Sequence, residues 1–127
     1  MIAFILYSIP VLSRQQASPE ICNSRSWTSE DGTEQFEIDL TEVDGAIKGT
    51  HCSIAYNGRY VDCSDEELSI DLRPTGTNTF EGTIKSGYSL TTGKIRLTFD
   101  KANNRLHFEL LEEPSGVFYF PKDAVME

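Results

Sequence analysis

Apolar residues recur at every second position along most of the chain from residue 35 onward. Between Gln35 and Val43, for example, Phe36, Ile38 and Leu40 alternate with acidic and hydroxyl-bearing residues. A period of two is typical of a β-strand that buries one face and exposes the other. Turn residues such as Gly, Pro, Asn and Asp interrupt this pattern about every eight to twelve positions. The pattern therefore predicts a series of short strands joined by turns.

No segment shows the period of an amphipathic helix, so the sequence predicts an all-β protein. Hairpin turns between consecutive strands favour an antiparallel meander over a Greek-key sandwich. Closing the meander would remove the unpaired edges of its many strands. We therefore expect a small up-and-down β-barrel of about eight or nine strands. The predicted strands cover residues 25–29, 35–43, 46–56, 59–63, 68–72, 80–86, 94–99, 105–110 and 117–120.

The pair Asn57-Gly58 is the strongest turn signal in the chain. A two-residue type I′ hairpin turn needs positive φ at both central positions, and this dipeptide tolerates positive φ well. With these two residues as the loop, Cys52 faces Cys63 across the hairpin. Cysteines at opposite positions on paired strands predict a disulfide. A zinc pair is the alternative interpretation of the same cysteines, and the disulfide is favoured over it.

The strand before this turn changes parity. Ile47 has an odd number, whereas Cys52 and Ile54 have even numbers. If all three face the core, the strand must contain a β-bulge, and Gly49 would accommodate one. His51 then faces inward or outward depending on the position of that bulge.

The N-terminal residues 1–12 are mostly apolar but too few to span a bilayer. We predict a signal peptide at residues 1–17, with a buried first strand as the alternative. Residues 18–24 would form a linker and residues 25–127 a single β-barrel domain. Export would place the protein in the periplasm or outside the cell, where disulfides persist. Cys22 would then be a free thiol or an alternative partner for one hairpin cysteine.

The chain carries 20 acidic and 11 basic residues, a formal net charge of −9. This balance argues against nucleic acid and against anionic membrane surfaces, because both call for clustered Lys and Arg. It is compatible with a basic protein partner, such as a secreted toxin. An acidic surface is more often a device for solubility, so the charge alone does not identify a partner.

The sequence offers little to an enzyme. It has two histidines, and the second, His107, has the polar parity of its strand. There is no H-x-x-x-H or C-x-x-C metal motif and no G-x-S-x-G nucleophile motif. We predict that the protein is not an enzyme and has no catalytic residue, metal or cofactor.

An acidic run follows the hairpin, with carboxylates at Asp62, Asp65, Glu66 and Glu67. Oxygen-rich loops can bind calcium, but this run lacks the spacing and the turn glycine of an EF-hand loop. A solvated acidic loop is therefore the favoured interpretation.

Tyrosines are the most informative aromatic residues of the chain. Tyr56 and Tyr60 flank the hairpin tip, Tyr88 lies in a long uncharged loop, and Tyr119 lies near the C-terminus. Exposed tyrosines among acidic groups would form a recognition surface for a basic partner. Alternatively, Tyr56 and Tyr88 cap the barrel core. The predicted partner surface consists of Tyr56, Arg59, Tyr60, Asp62, Asp65, Glu66, Glu67 and Tyr88.

The first half of the chain carries W-T-S-E-D-G-T at residues 27–33, F-E-I at 36–38 and A-I-K-G-T-H at 46–51. These segments resemble the calycin group, the lipocalins and avidins, in which a first strand bearing a tryptophan closes one barrel end. The resemblance implies a lipocalin- or avidin-like barrel with polar interior positions. The second half, with S-G-V-F-Y-F-P at 115–121, resembles small exported bacterial proteins of unassigned function. The interior positions implied by the resemblance are Trp27, Ser29, Thr33, His51 and Ser53.

Two functions from different classes follow as hypotheses. The first is a non-enzymatic exported protein that binds a cationic protein, as an inhibitor or immunity protein does. The alternative, implied by the resemblance, is a carrier of a small apolar or amphipathic ligand inside the barrel. A tightly packed interior would count against the carrier. The side chains expected to fill it are Phe36, Ile38, Ile84, Leu97, Phe99 and Phe108.

Overall fold

The computed structural model describes residues 18–64 and 67–127. Within these residues, one short helix, α1 (Ser18–Ile21), precedes nine β-strands, and all the pairings between these strands are antiparallel. In the described part of the chain, no helix is long and apolar enough to cross a membrane. The strands are β1 (Ser24–Thr28), β2 (Gln35–Val43), β3 (Ala46–Ala55), β4 (Tyr60–Cys63), β5 (Ile70–Gly76), β6 (Thr79–Lys85), β7 (Thr92–Asp100), β8 (Arg105–Glu112) and β9 (Asp123–Met126).

Eight strands form one continuous sheet in the order β1-β2-β3-β5-β6-β7-β8-β9. The two ends of this sheet meet: the Ser26 N–H donates to the Glu127 carbonyl at 2.9 Å, and the Glu127 N–H donates back to Ser26 at 3.0 Å. The sheet is therefore nearly closed, and the predicted antiparallel meander forming a β-barrel is confirmed. Closure gives hydrogen-bond partners to backbone groups that an open sheet would leave at its edges.

The strand β4 lies off this path and pairs only with the second half of β3, while β5 pairs with the first half. Cys52 lies directly opposite Cys63 and is bonded to it, so the predicted disulfide and hairpin register are confirmed. Cys22 is a free thiol, which excludes the alternative pairings. Asn57 and Gly58 have φ values of 57° and 89°, as a type I′ turn requires.

The barrel interior is filled by a single cluster of apolar side chains. Phe36 and Phe108 lie at its centre, with ring centroids 4.9 Å apart in an edge-to-face contact. Such aromatic pairs add about 0.5 to 1.5 kcal/mol beyond the area that they bury. All six side chains expected to fill the interior are 7% exposed or less: Phe36, Ile38, Ile84, Leu97, Phe99 and Phe108.

The β-bulge predicted at Gly49 is wrong. The strands β2 and β3 pair without interruption, and the odd-numbered residues of β3 face the core throughout. This register puts Cys52 and Ile54 on the outer face and His51 inside the barrel. The prediction failed because hydrophobic periodicity cannot recognise a strand that turns polar residues inward. Gly49 is needed for another reason, since a Cβ there would overlap the backbone oxygen of Asp39.

The last strand is also misplaced in the sequence-based prediction. Residues 117–120 form no strand, and β9 begins at Asp123 instead. The segment 113–122 crosses one end of the barrel and inserts Phe120 into the core cluster. At Tyr119 its backbone binds side chains: the Tyr119 N–H donates to Asp62, and the Tyr119 carbonyl accepts from Ser53. Alternation of side chains could not reveal this use of the backbone.

The opposite end of the barrel is closed by the N-terminal segment. Residues 18–24, predicted to be a linker, contain α1, and the Ile21 side chain lies in the core cluster. The buried Arg25 guanidinium donates to the carbonyls of Asn104 and Glu20 and lies over the Phe99 ring. The predicted signal peptide, residues 1–17, lies outside the described residues.

We predict that replacing both Cys52 and Cys63 by alanine lowers the free energy of unfolding by about 2 to 4 kcal/mol. The disulfide closes a loop with a sequence separation of 11 and thereby restricts the unfolded chain. Urea unfolding of the oxidised protein and of the double variant measures the difference. Cys22→Ala is the matched control: reducing its Cys52–Cys63 disulfide should still lower the free energy of unfolding by the same amount. Equal stability of the oxidised protein and the double variant would contradict the prediction.

Candidate functional site

Three connecting segments meet at one end of the barrel, which we call the tyrosine end. The antiparallel order of the sheet makes β3, β6 and β8 run in the same direction. The segments that follow them, 56–59, 86–91 and 113–122, therefore lie at the same end. Each of these segments, or the first residue of the strand after it, carries a tyrosine.

The four tyrosines Tyr56, Tyr60, Tyr88 and Tyr119 form one contiguous group, here called the tyrosine cluster. Tyr60 stacks on Tyr119 with ring centroids 4.7 Å apart and planes 11° apart. Tyr88 meets Tyr119 edge-on at 5.1 Å, and Tyr56 meets Tyr60 edge-on at 5.5 Å. Each ring thus limits the movement of its neighbours. Desolvation raises the pKa of Tyr119 above its ordinary value, and the adjacent phenols raise it further.

Two members of the tyrosine cluster, Tyr56 and Tyr88, are too exposed to cap the barrel core. The side chains of these two residues are 61% and 53% exposed. Exposed apolar residues gather around them, although such residues are usually scattered over a protein surface. Of ten exposed large apolar or aromatic side chains in the described residues, five belong to the tyrosine end: Tyr56, Tyr60, Tyr88, Leu90 and Val117.

The buried carboxylate of Asp62 joins the segments that carry the tyrosines. Asp62 lies on β4 and is fully buried. One of its oxygens accepts from His51 Nε2 at 3.0 Å and from the Gly87 N–H at 2.7 Å. The other accepts from Ser86 Oγ at 2.7 Å and from the Tyr119 N–H at 3.1 Å. A single side chain therefore fixes the hairpin, the 86–91 loop and the 113–122 segment relative to one another.

Asp62 is ionised under ordinary conditions. Burial by itself raises the pKa of this carboxyl, but the four hydrogen bonds stabilise the charged form. Their combined effect is larger, so the pKa of Asp62 lies below its usual value. The tyrosine end is thus built on a buried negative charge.

The charge on Asp62 also fixes the tautomer of His51. An ionised carboxylate only accepts, so His51 Nε2 carries the proton and donates it to Asp62. His51 Nδ1 lies 2.6 Å from the Ser69 hydroxyl and shares a hydrogen bond with it. The His51 ring is held by Phe120 on one side, at a centroid distance of 5.5 Å.

Ser69, His51 and Asp62 stand in the order of a nucleophile, a base and an orienting acid. A serine hydrolase also needs donors beside the nucleophile that stabilise an oxyanion. The N–H of Ser69 donates to the Gly49 carbonyl, and the N–H of Gly87 is used by Asp62. Neither of these two N–H groups is therefore available to an oxyanion, and we interpret the network as a structural one.

Two members of the predicted partner surface, Arg59 and Glu67, are exposed at the tyrosine end as expected. Asp62 is not a surface residue: it is buried, and its hydrogen bonds hold the segments that carry the tyrosine cluster. Asp65 and Glu66 lie outside the described residues.

The predicted interior set is divided by the structure. His51 and Ser53 do face the barrel interior, and Trp27 packs half-buried against the core. Ser29 and Thr33 do not face it: their hydroxyls donate to Asp31 in the exposed turn between β1 and β2. The Asp-Gly turn signal at these positions explains their local role better than the resemblance does.

Sequence reasoning missed the pairing of His51 with Asp62. A usable signal was present, because a register that sets Cys52 opposite Cys63 also sets Ser53 opposite Asp62. Paired residues share a face, so a buried Ser53 implied a buried Asp62 in need of donors.

A possible metal group lies elsewhere, on the outer face of β8 and β9. His107, Glu109 and Asp123 offer ligand atoms within 4.8 Å of one another. These atoms are already engaged, since His107 bonds Asp123 at 3.0 Å and Glu109 pairs with Arg96 at 3.4 Å. The guanidinium would repel a cation, so we assign no metal to this group.

We predict that Asp62→Asn lowers the free energy of unfolding at neutral pH by about 3 kcal/mol. The new amide group would point a donor at a backbone N–H that now donates to the carboxylate. Because the folded pKa of Asp62 is lowered, its stabilising effect is present above the unfolded pKa of about 3.9 and is lost as the pH falls through the folded value. The stability difference between the two proteins should therefore shrink in acid. Thermal unfolding across pH measures this, with exposed Asp39→Asn as control; a difference that grows in acid would contradict it.

No family model, curated protein or solved structure matches this chain. The resemblance to calycins therefore stays a prediction, and the function has to be argued from the tyrosine end itself.

Proposed function

We propose that this is a non-enzymatic, exported interaction protein that binds a cationic protein partner through its tyrosine end. The observation that carries the proposal is the exposed tyrosine cluster, seated on a fully buried carboxylate. Tyrosine supplies a large amphipathic contact area at a small cost in conformational entropy, which is why it is enriched at protein interfaces. The protein would bind this partner as an inhibitor or an immunity protein binds its target.

The rigidity of the tyrosine end supports a binding role. A surface that is already in its bound conformation loses less entropy when a partner docks. The ring contacts within the tyrosine cluster and the hydrogen bonds to Asp62 provide such pre-organisation. Their purpose would be hard to explain if the same loops only covered the core, because Phe118 and Phe120 already pack there.

The charge of the chain supports a cationic partner. A net charge of −9 attracts a basic protein over distances of about one Debye length and speeds the encounter. Charge complementarity mainly raises the association rate, whereas buried aromatic anchors slow dissociation. The acidic surface and the tyrosine cluster would therefore contribute to different steps of binding.

The carrier hypothesis has less support. Its predicted interior set is split, since Ser29 and Thr33 lie in an exposed turn. The six apolar side chains expected to fill the interior pack in one cluster. A shallow concavity of about 410 Å³ lies on the outer face of β1, β2 and β3 instead, lined by polar residues such as Ser24, Glu37 and Thr50.

The partner can be sought with a photo-crosslinking amino acid placed at Tyr88. Exported proteins from the source organism would be irradiated with this variant and with a variant labelled at Val43, which is exposed at the opposite end of the barrel. We expect a basic protein to be crosslinked from position 88 and not from position 43. The purified partner should then bind the unlabelled protein with an affinity that falls as salt rises. Equal adducts from both positions would contradict the proposal.

We predict that Tyr60→Ala weakens the purified complex by about 2 kcal/mol, or about 30-fold in Kd. The substitution removes a ring that stacks on Tyr119 and is 39% exposed. Isothermal titration calorimetry measures the affinity, and circular dichroism checks that the fold is unchanged. Val43→Ala serves as the control and should leave Kd as it is. A similar loss in both variants would mean that the tyrosine cluster is not the contact surface.

A further inference from the structure

A fourth connecting segment, the turn of residues 29–34 between β1 and β2, adjoins the tyrosine cluster. This turn lies at the tyrosine end because β2 begins where β3 ends. The Asn57 N–H donates to the Thr33 carbonyl at 3.1 Å and so ties the turn to the tip of the β3–β4 hairpin. Tyr56 directly precedes Asn57, so the turn and the tyrosine cluster form one continuous surface.

This turn gives the tyrosine end an acidic side, and we call it the acidic turn. It carries Glu30, Asp31 and Glu34 and no basic residue. Asp31 accepts hydrogen bonds from the Thr33 N–H and from the hydroxyls of Ser29 and Thr33. These bonds keep the pKa of the Asp31 carboxyl below its usual value, so it is ionised. The acidic turn therefore complements a positively charged group that approaches the tyrosine cluster.

Two bulky residues at this end have left-handed backbone conformations. Tyr56 and Leu90 have φ values of 54° and 65°. Every other positive-φ residue in the described part of the chain is Gly, Asn or Asp, the types that tolerate this conformation best. Both side chains are more than half exposed, so core packing does not explain why a bulky residue is kept there. Backbone strain of this kind clusters at binding sites, which indicates a role for the exposed Tyr56 ring in recognition.

We propose that the hairpin tip binds an arginine side chain of the cationic partner, with the guanidinium over the Tyr56 ring and ion-paired with the acidic turn. The inference rests on the proposed function and adds the residue type by which the partner is recognised. A guanidinium is planar, so it can stack on an aromatic ring and donate in its own plane to a carboxylate. A lysine ammonium is a strongly hydrated point charge and lacks this double fit.

One group opposes the proposed contact. Arg59 is exposed in the same hairpin turn, and its charge repels an incoming guanidinium. The acidic turn sets three carboxylates against this one cation, so the two turns together remain negative. Arg59 therefore lowers the affinity without reversing the charge preference, and Arg59→Gln should strengthen binding of an arginine.

The test uses acetylated pentapeptide amides of glycine with one central arginine, citrulline or lysine. Citrulline keeps the planar group without the charge, and lysine keeps the charge without the planar group. Binding to the full protein is followed by the NMR shifts of the Thr33, Tyr56 and Asn57 amides. We expect saturable shifts with the arginine peptide, an affinity lower by about tenfold with citrulline, as for loss of a charge-assisted hydrogen bond, and a lower affinity with lysine. Equal affinity for citrulline or for lysine, or no saturable shift with arginine, would overturn the proposal.

Charge variants test the part played by the acidic turn. Glu30→Gln combined with Glu34→Gln should weaken binding of the arginine peptide by about tenfold. Asp39→Asn combined with Asp44→Asn makes the same change in net charge at exposed positions away from the tyrosine end and should leave the affinity unchanged. The titrations are run at about 0.15 M salt, where distant exposed charges are screened. Equal losses in the two double variants, or no gain in Arg59→Gln, would contradict the ion pair.

A ring variant tests the aromatic contact. Tyr56→Asn removes the ring and introduces a residue that tolerates the left-handed conformation, so the hairpin should still fold. It should weaken the arginine peptide by about threefold, as expected for an exposed cation–π contact. Leu90→Asn makes the same backbone change in the 86–91 loop and should leave the affinity unchanged. Urea unfolding checks that both variants are folded, and an unchanged affinity in folded Tyr56→Asn would overturn the proposal.

The inference and the proposed function can fail separately. If Tyr60→Ala weakens the partner complex while the arginine peptide produces no saturable shift, the surface is right and the arginine contact is wrong. If the arginine peptide binds the hairpin tip while Tyr60→Ala leaves the partner complex unchanged, the tip recognises arginine but the tyrosine cluster is not the partner surface.

Discussion

The tyrosine end depends on one interaction, the acceptance of four hydrogen bonds by the buried carboxylate of Asp62. A buried charge is tolerated only when its lone pairs are satisfied, so these donors must come from segments that fold to reach it. Two of them are backbone N–H groups, of Gly87 and Tyr119, in segments without regular structure. Because these donors must all reach Asp62, the three loops are held in one fixed arrangement.

The surface above this carboxylate inherits its order. On isolated loops the tyrosines could move independently. Here Asp62 binds the backbone of the 86–91 loop and of the 113–122 segment, and it lies on the same short strand as Tyr60. Pre-organisation of this kind favours slow dissociation of a partner, while the overall negative charge favours its approach. The disulfide contributes from the other face, because it ties β4 to β3 next to Asp62. Barrel, disulfide and buried charge thus act on the same short strand.

Much of the fold was accessible from the sequence. The alternation in β2, β7 and β8 and the Asn57-Gly58 turn predict local pairings, and local pairings of consecutive strands already define a meander. The candidate site was only partly accessible. The tyrosines were recognised as a group, yet the residue that assembles them was taken for part of an exposed acidic run. A carboxylate next to three others in sequence looks solvated, and only its partner across the hairpin indicates burial.

By itself, then, the sequence determined the antiparallel meander, the hairpin register and the disulfide, because each depends on residues that are neighbours in the chain or across one turn. The tertiary structure decided that His51 faces inward, that residues 117–120 cap the barrel rather than extend the sheet, and that four tyrosines meet at one end. These outcomes depend on contacts between distant parts of the chain, such as that of Asp62 with Tyr119, which lies 57 residues away. Hydrogen bonds between polar groups that far apart produce no periodic pattern in the sequence, since the closure of the barrel determines which groups meet.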